Sequence, residues 1–333
     1  MSSTDVSSTE SGLAHRANIS VVICSYADWR WDDLRSACAS VRAQLDECDE
    51  LVVVVDHNAN LLVRARVELT GVRVLPNSGK QGLSGARNTG VGASRGDVVA
   101  FLDDDAAARP GWMDSLRAAF EDADVVVAGT SVQPRWEGGR APRWFPPEFA
   151  WVVGCSYRGL PESKSAVRNP IGASMAIRRA VFGRVGGFSE VVGRVGTTPV
   201  GCEETEFCIR VSADDPESVI IFDPAGSVDH YVPDGRQTLR YFVRRCYHEG
   251  RSKRIVSQLR GSQAALSAER RYVRVTLPAA VLRGIGESPR RPAGLLRAGA
   301  VVLGLSSTVA GYAVGLMKRD TAEPSEKAQI VLQ

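Results

Sequence analysis

The sequence predicts an α/β protein built on a doubly wound, mostly parallel sheet, with a C-terminal helical extension that meets a membrane. Three observations predict it. Short β-branched runs alternate with helical stretches over the first third of the chain, as in sheets buried on both faces. Those runs end on polar or acidic residues, where open α/β sheets bind their ligands. The last part of the chain turns basic and closes on a long uncharged segment.

The elements follow in order. "ISVVICSY" (19–26) reads as the first strand and residues 32–45 as a helix. "ELVVVVDHN" (50–58) and "VRVLPN" (72–77) read as the second and third strands. "GLSGARNTGVGASRGD" (82–97) reads as a small-residue helix and "DVVAFLDDD" (97–105) as the fourth strand. Ser25, Asp56 and the triplet Asp103, Asp104 and Asp105 then fall at the carboxyl ends of strands.

After residue 130 the character changes. "QPRWEGGRAPRWFPPEFAW" (133–151) predicts a long shaped loop, rich in Pro, Gly and aromatic residues. Trp136, Trp144, Phe145, Trp151 and Tyr157 can stack on a ligand ring or hold that loop together. "NPIGASMAIRRAVFGRVGGFSE" (169–190) reads as a strand, a short helix and a Gly-Gly turn. "CEETEFCIRV" (202–211) starts an amphipathic helix with Phe207 and Val211 on one face, and "SVIIFDPAGSVDHYVP" (218–233) predicts a strand pair.

The residues from Arg236 to Arg319 carry 17 Lys and Arg against 3 Asp and Glu, a surplus of +14 inside a net charge of +3. Such a surface meets anions. With no recognisable nucleic-acid motif, an anionic membrane surface is the expected partner and nucleic acid is not. Ala298–Met317 is uncharged and holds Gly311 and Gly315 in a GxxxG spacing. It is long enough to cross a hydrocarbon core of ~30 Å, or to lie buried or interfacial against 272–286.

The seven cysteines form no CxxC pair, and the first residues lack the apolar core of a secretory signal. The expected location is the cytoplasm, at the inner face of the cell membrane. The expected division is a disordered tail over 1–17, then two halves over 18–130 and 131–255. A basic helical membrane-associated region over 256–319 and a tail over 320–333 complete it.

The Asp triplet admits a polar turn that starts a helix at Pro110, or a divalent cation site. In an extended chain Asp103 and Asp105 project to one side and Asp104 to the other. Two carboxylates on one side suit Mg²⁺ or Mn²⁺, which shares its shell with substrate phosphates. The position at a strand's carboxyl end favours the cation.

Taken in order, "VVICSY", "VVVDHN", "GLSGARNTGVGASRGDVVAFLDDDA", "VGGFSE", "CEETEFCIR" and "VDHYVPDGRQTLRYFVRRCYHEG" resemble the family 2 glycosyltransferases. These are inverting enzymes of the GT-A fold that use nucleotide-diphosphate sugars, and the resemblance spans roughly residues 19–255. It implies that Asp103 and Asp105 form the metal-binding DxD pair. It sets Asp104 against the donor's ribose or the backbone, Asp56 against its base, and Arg87 beside the nucleotide at the same strand ends as Ser25. His230 is then a further metal ligand or a structural histidine. Glu204 stands where the family's second acid serves as base, one methylene longer than the usual Asp, with Glu203 as the alternative. Arg244 and Arg245 reach the leaving diphosphate or form a solvated helix face. "RQTLRY" (236–241) approaches the QxxRW signature of processive synthases but has Tyr241 for Trp, so processivity is not expected.

The implied activity is metal-dependent, inverting sugar transfer to a hydroxyl on a glycan or lipid-linked acceptor in cell-envelope biosynthesis. Two alternatives stay open at this level. A nucleotidyltransferase would carry a Gly-rich basic loop after the first strand, where "CSYADWRWDD" stands. A non-catalytic nucleotide-binding partner would bind donor and metal without turnover.

Overall fold

The computed structural model describes residues 16–191, 201–289 and 292–317. Residues 1–15 and 320–333 of the two expected tails, with Lys318 and Arg319, lie outside the described residues.

β1 (Ile19–Ser25) leads through a single 3₁₀ turn, Asp28–Arg30, into α1 (Trp31–Arg42). β2 (Glu50–Val55), α2 (Ala59–Glu68), β3 (Arg73–Pro76), α3 (Leu83–Ala93) and β4 (Val98–Asp103) continue the alternation. The sequence reading had no helix between the second and third strands. α2 forms because the Asn58 side chain accepts from the Leu61 N–H, capping a segment whose Leu61 and Ala65 share a buried face. β1, β2, β3 and β4 pair in parallel in the order β3-β2-β1-β4. Alternate residues of each central strand enter separate cores: Val21, Val53 and Ala100 on one face, Val22, Val52 and Phe101 on the other. Burial on both faces is why these strands read as unbroken apolar runs.

β5 (Ala106–Ala108), α4 (Trp112–Ala119) and β6 (Val125–Trp136) follow, then a 3₁₀ segment Pro147–Val153 and β7 (Ser165–Ala166). β8 (Ser174–Arg178), α5 (Arg179–Val185), α6 (Glu203–Asp214) and β9 (Val219–Val232) complete the sheet. β8 runs antiparallel between β4 and β6, so the sheet is parallel in its first half and mixed in its second. The strand pair expected over 218–233 is instead one strand. β9 runs parallel to β6 along its length, and the register shift from Thr130↔Asp223 to Ser131↔Ser227 absorbs the Pro-Ala-Gly stretch as a bulge.

The small residues of α3 serve close packing inside the protein. A Cβ on Gly90 would lie 2.4 Å from Val22 Cγ1, and one on Gly85 would lie 2.0 Å from the Lys80 carbonyl oxygen. The aromatic residues of the 133–151 segment turn onto one another. Trp136 meets Phe145 at 5.1 Å, Trp144 meets Phe242 at 5.5 Å and Phe149 meets Phe242 at 5.3 Å between ring centres.

The rest is helical: α7 (Leu239–Arg260), the short α8 (Ser262–Ala265) and α9 (Ser267–Arg271), α10 (Leu277–Glu287) and α11 (Ala293–Met317). α7 anchors this layer. Its Phe242 enters the main core, and Gly250 meets α11 so closely that a Cβ there would lie 1.9 Å from the Thr308 carbonyl oxygen.

Candidate active site

β4 delivers Asp103 at its carboxyl end, and the chain turns immediately into β5. β5 pairs with β9 in a register that sets Ala106 opposite His230, while the Tyr231 N–H donates to the Asp105 carbonyl. A short antiparallel ladder thus brings His230 to the Asp triplet from more than a hundred residues away. His230 Nε2 lies 3.1 Å from Asp105 Oδ1 and 4.0 Å from Asp103 Oδ2. One ligand atom from each of Asp103, Asp105 and His230 falls within 4.8 Å of the others.

Asp104 and Asp105 lie in the turn between β4 and β5, and Asp104 is not one of the three grouped ligands. Ser25 Oγ donates to its Oδ2 at 2.6 Å, and Arg30 pairs with its other oxygen. Burial, opposed by Arg30, pushes the Asp104 carboxyl up to about 6. Asp105 is more heavily engaged: Arg30 Nη2 is 3.1 Å and Arg236 Nη2 3.5 Å from its Oδ2. Burial would raise its carboxyl, yet His230 and the two arginines hold it below the usual carboxylate range. His230 answers in kind. Burial disfavours its charge, but Asp105 outweighs burial and lifts the imidazole to about 10. Arg30 went unnoticed in the sequence and Arg236 was read only as part of the QxxRW-like motif. Both reach Asp105 through the fold and not through local spacing.

Asp56 sits at the end of β2, with Asn77 Nδ2 donating to Oδ1 at 2.6 Å and the Gly82 N–H to Oδ2 at 2.9 Å. It fixes the 77–82 loop at the edge of the site, next to His57, a non-glycine residue in the left-handed region. His57 Nδ1 lies 2.8 Å from the same Oδ1, so the lone pair that Asp56 keeps for a further donor is on Oδ2.

Arg87 is buried, not a surface residue. It donates to Glu203 Oε1 at 3.0 Å and to the Gly172 carbonyl at 2.9 Å, and stands 3.5 Å from Asp103 Oδ1. The same guanidinium therefore joins the acid on β4 to the start of α6. That start is strained: Cys202, its N-cap, has φ 77. Three glutamates follow and part company. Glu203 faces Arg87, Glu206 pairs with Arg210 and Arg260, and Glu204 diverges from both. Among the described residues no ion pair engages Glu204. Desolvation first and then the charge of Glu203 push its carboxyl up to about 8.

α7 holds this helix start from behind. Ser252 Oγ accepts from the Gly201 N–H at 3.3 Å, and Cys202 Sγ donates to Glu249 Oε1 at 3.3 Å. Arg245 pairs with Glu249 at 2.8 Å, whereas Arg244 stands exposed on the outer surface of α7. All seven cysteines are free.

A parallel half-sheet whose acids converge at its carboxyl edge, faced by helix-borne glutamates, has the build of a GT-A glycosyltransferase that takes nucleotide-sugar donors. Comparison with known proteins agrees. Residues 20–186 match Glycosyl transferase family 2, and the chain belongs to that family. It is 36% identical over 245 residues to the glucosyl-dolichyl phosphate glucuronosyltransferase of Haloferax volcanii, covering 72% of this chain and 78% of that protein. It is 28% identical over 181 residues to the pre-mycofactocin glycosyltransferase of Mycobacterium tuberculosis, covering 54% of this chain and 36% of that one. Among solved structures, the mannosyltransferase PcManGT of Pyrobaculum calidifontis, in complex with GDP-Man and Mn²⁺, superposes with a TM-score of 0.52 at 16% identity. It covers 89% of this chain and 88% of that one.

Proposed function

We propose that this glycosyltransferase moves one sugar, with inversion, from a nucleotide-diphosphate donor to a hydroxyl of a glycan or lipid-linked acceptor in cell-envelope biosynthesis. The observation that carries the reading is the Arg87 bridge. It ties Asp103, one of the Asp103–Asp105–His230 set, to Glu203, the immediate neighbour of Glu204, which has no ion partner among the described residues.

Two carboxylates suit Mg²⁺ or Mn²⁺, and the His230 imidazole would give up its proton to join them as a ligand. Asp103, Asp105 and His230 would hold a divalent ion, which would supply positive charge to stabilise the donor's diphosphate. Ser25 and Asp104, bonded to each other, floor the nucleoside side, and Asp56 offers an acceptor to the base. Arg30 and Arg236 add positive charge where the diphosphate departs. Glu204 takes the proton of the acceptor hydroxyl as its oxygen bonds to the anomeric carbon and the carbon–phosphate-oxygen bond breaks on the opposite side. Arg87 neutralises Glu203, which leaves Glu204 as the acid free to act.

On this reading residues 18–130 bind the donor and 131–255 the acceptor and catalytic acid, while 256–319 meet the cytoplasmic face of an anionic membrane. The name of the Haloferax volcanii relative, a transferase to a dolichyl-phosphate-linked sugar, supports a lipid-linked acceptor. The test is a panel of nucleotide sugars, with Mn²⁺ and without, read by released nucleoside diphosphate. Turnover that needs neither a divalent ion nor Glu204 overturns the assignment.

A further inference from the structure

α11 is long and apolar enough to cross a membrane. Its contacts give it another orientation. One face, with Gly304 and Gly311, is buried against the protein. A Cβ on Gly311 would lie 1.9 Å from the Tyr247 carbonyl oxygen, so α11 rests backbone to backbone on α7, the counterpart of the Gly250 contact. The GxxxG spacing is thus used within the chain, since a Cβ on Gly315 would press on Arg254 at 2.9 Å.

The opposite face is an apolar stripe, with exposed Ser306 as a polar residue within it. Leu295 and Leu296, Val302 and Leu303, Val309, then Leu316 and Met317 are exposed at seven-residue intervals. Between α11 and α7 runs a groove whose walls include Val243, Tyr247, Ser307 and Ala310, with Arg240 and Arg244 along it. Ala310 is exposed and borders the stripe beside Val309, so groove and stripe are continuous.

The charges sort in the same way. Glu249 is engaged by Arg245 and Lys253, Glu269 by Lys253 and Arg168, and Glu287 lies 3.7 Å from Arg297. Among the described residues Arg240 and Arg244 have no carboxylate partner, and both are exposed. An α11 that spanned the bilayer while docked on α7 would draw these arginines, with Arg251 and Arg254, into hydrocarbon, at about 2.5–3.5 kcal/mol each on insertion scales.

We infer that α11 lies in the plane of an anionic leaflet, its stripe among the acyl chains, with a phospholipid phosphate seated between Arg240 and Arg244 in the α7–α11 groove. This rests on the reading that the chain works at a membrane, and it specifies how the chain attaches. An apolar stripe at acyl depth beside cations at headgroup depth is the arrangement of an interfacial helix.

The test uses the full-length chain and flotation with vesicles of phosphatidylglycerol and phosphatidylcholine, or phosphatidylcholine alone. The expected result is binding to the anionic vesicles and release by alkaline carbonate. Replacing both arginines (Arg240→Ala with Arg244→Ala) should weaken binding to anionic vesicles by about thirty-fold, and Val309→Glu should abolish it. Both changes are at exposed positions, and retained donor binding confirms that each variant is folded. Retention in the membrane after carbonate, or undiminished binding of Val309→Glu, overturns the interfacial orientation alone. A wild-type chain that ignores anionic vesicles overturns the membrane reading with it.

Discussion

Arg87 donates to Glu203 at 3.0 Å, and both side chains are buried. That pair divides the labour of two adjacent acids. Glu203 is neutralised where it stands, and Glu204, one residue on, is left without an ion partner among the described residues.

Glu204→Gln should lower kcat by ~10²–10⁴-fold with little change in donor affinity, the usual cost of losing a general base. Steady-state kinetics with a fixed acceptor decides it. A variant with near-normal turnover would move the base elsewhere.

Glu203→Gln should behave differently. It leaves the Arg87 guanidinium buried without its partner, a loss of about 3–5 kcal/mol when one member of a buried pair is removed. Thermal unfolding should register that loss, together with a weaker divalent-ion response through Asp103. An unchanged melting temperature would mean that the pair contributes nothing.

The raised carboxyl of Glu204 sets the pH dependence. The base acts ionised, so kcat/KM should rise about tenfold per pH unit below about 8 and level above it. Stability runs the opposite way. A carboxyl whose folded value lies above its ordinary 4.5 favours the protonated form, so its ionisation destabilises the fold as pH rises towards 8. Glu204→Gln should therefore remove the acidic limb of the rate profile and unfold no earlier than wild type at alkaline pH.

Asp105→Ala should abolish Mn²⁺-dependent binding of a nucleoside diphosphate, because it removes one of two carboxylates that share the cation side with His230. Calorimetry with and without Mn²⁺ is the measurement. Unchanged metal-dependent binding would reject the site.

Gly250→Ala should loosen α11 from α7, since its new methyl would meet the Thr308 carbonyl oxygen at 1.9 Å. Overpacking of this kind costs about 1–3 kcal/mol. Faster proteolysis within 293–317, with donor binding retained, is the expected signature.

The parallel first half of the sheet was legible because its signals are local. An apolar strand that ends on Asp103 marks the acid cluster, although residues 104 and 105 form a turn and not the extended chain that alternation assumes. Glu204 could likewise be separated from Glu203 and Glu206 by helical angle. What stayed hidden depends on contacts distant in the chain. Arg30 reaches Asp105 across 75 positions and Arg236 across 131, and neither spacing marks a surface arginine as a site residue. The Pro-Ala-Gly stretch within β9 reads as the turn of a hairpin, and only its pairing with β6 reveals a bulge. The Asn58 cap of α2 was present in the sequence and passed unread.

α7 grips the start of α6 through Ser252 and Glu249 and carries α11 on its other side. Thermodynamic reciprocity then couples the two ends of the molecule. To whatever extent lipid contact on α11 steadies the start of α6 in its donor-ready geometry, a bound donor strengthens the hold on lipid by the same factor. The enzyme would stay longest on the membrane when charged with sugar and let go most readily once spent.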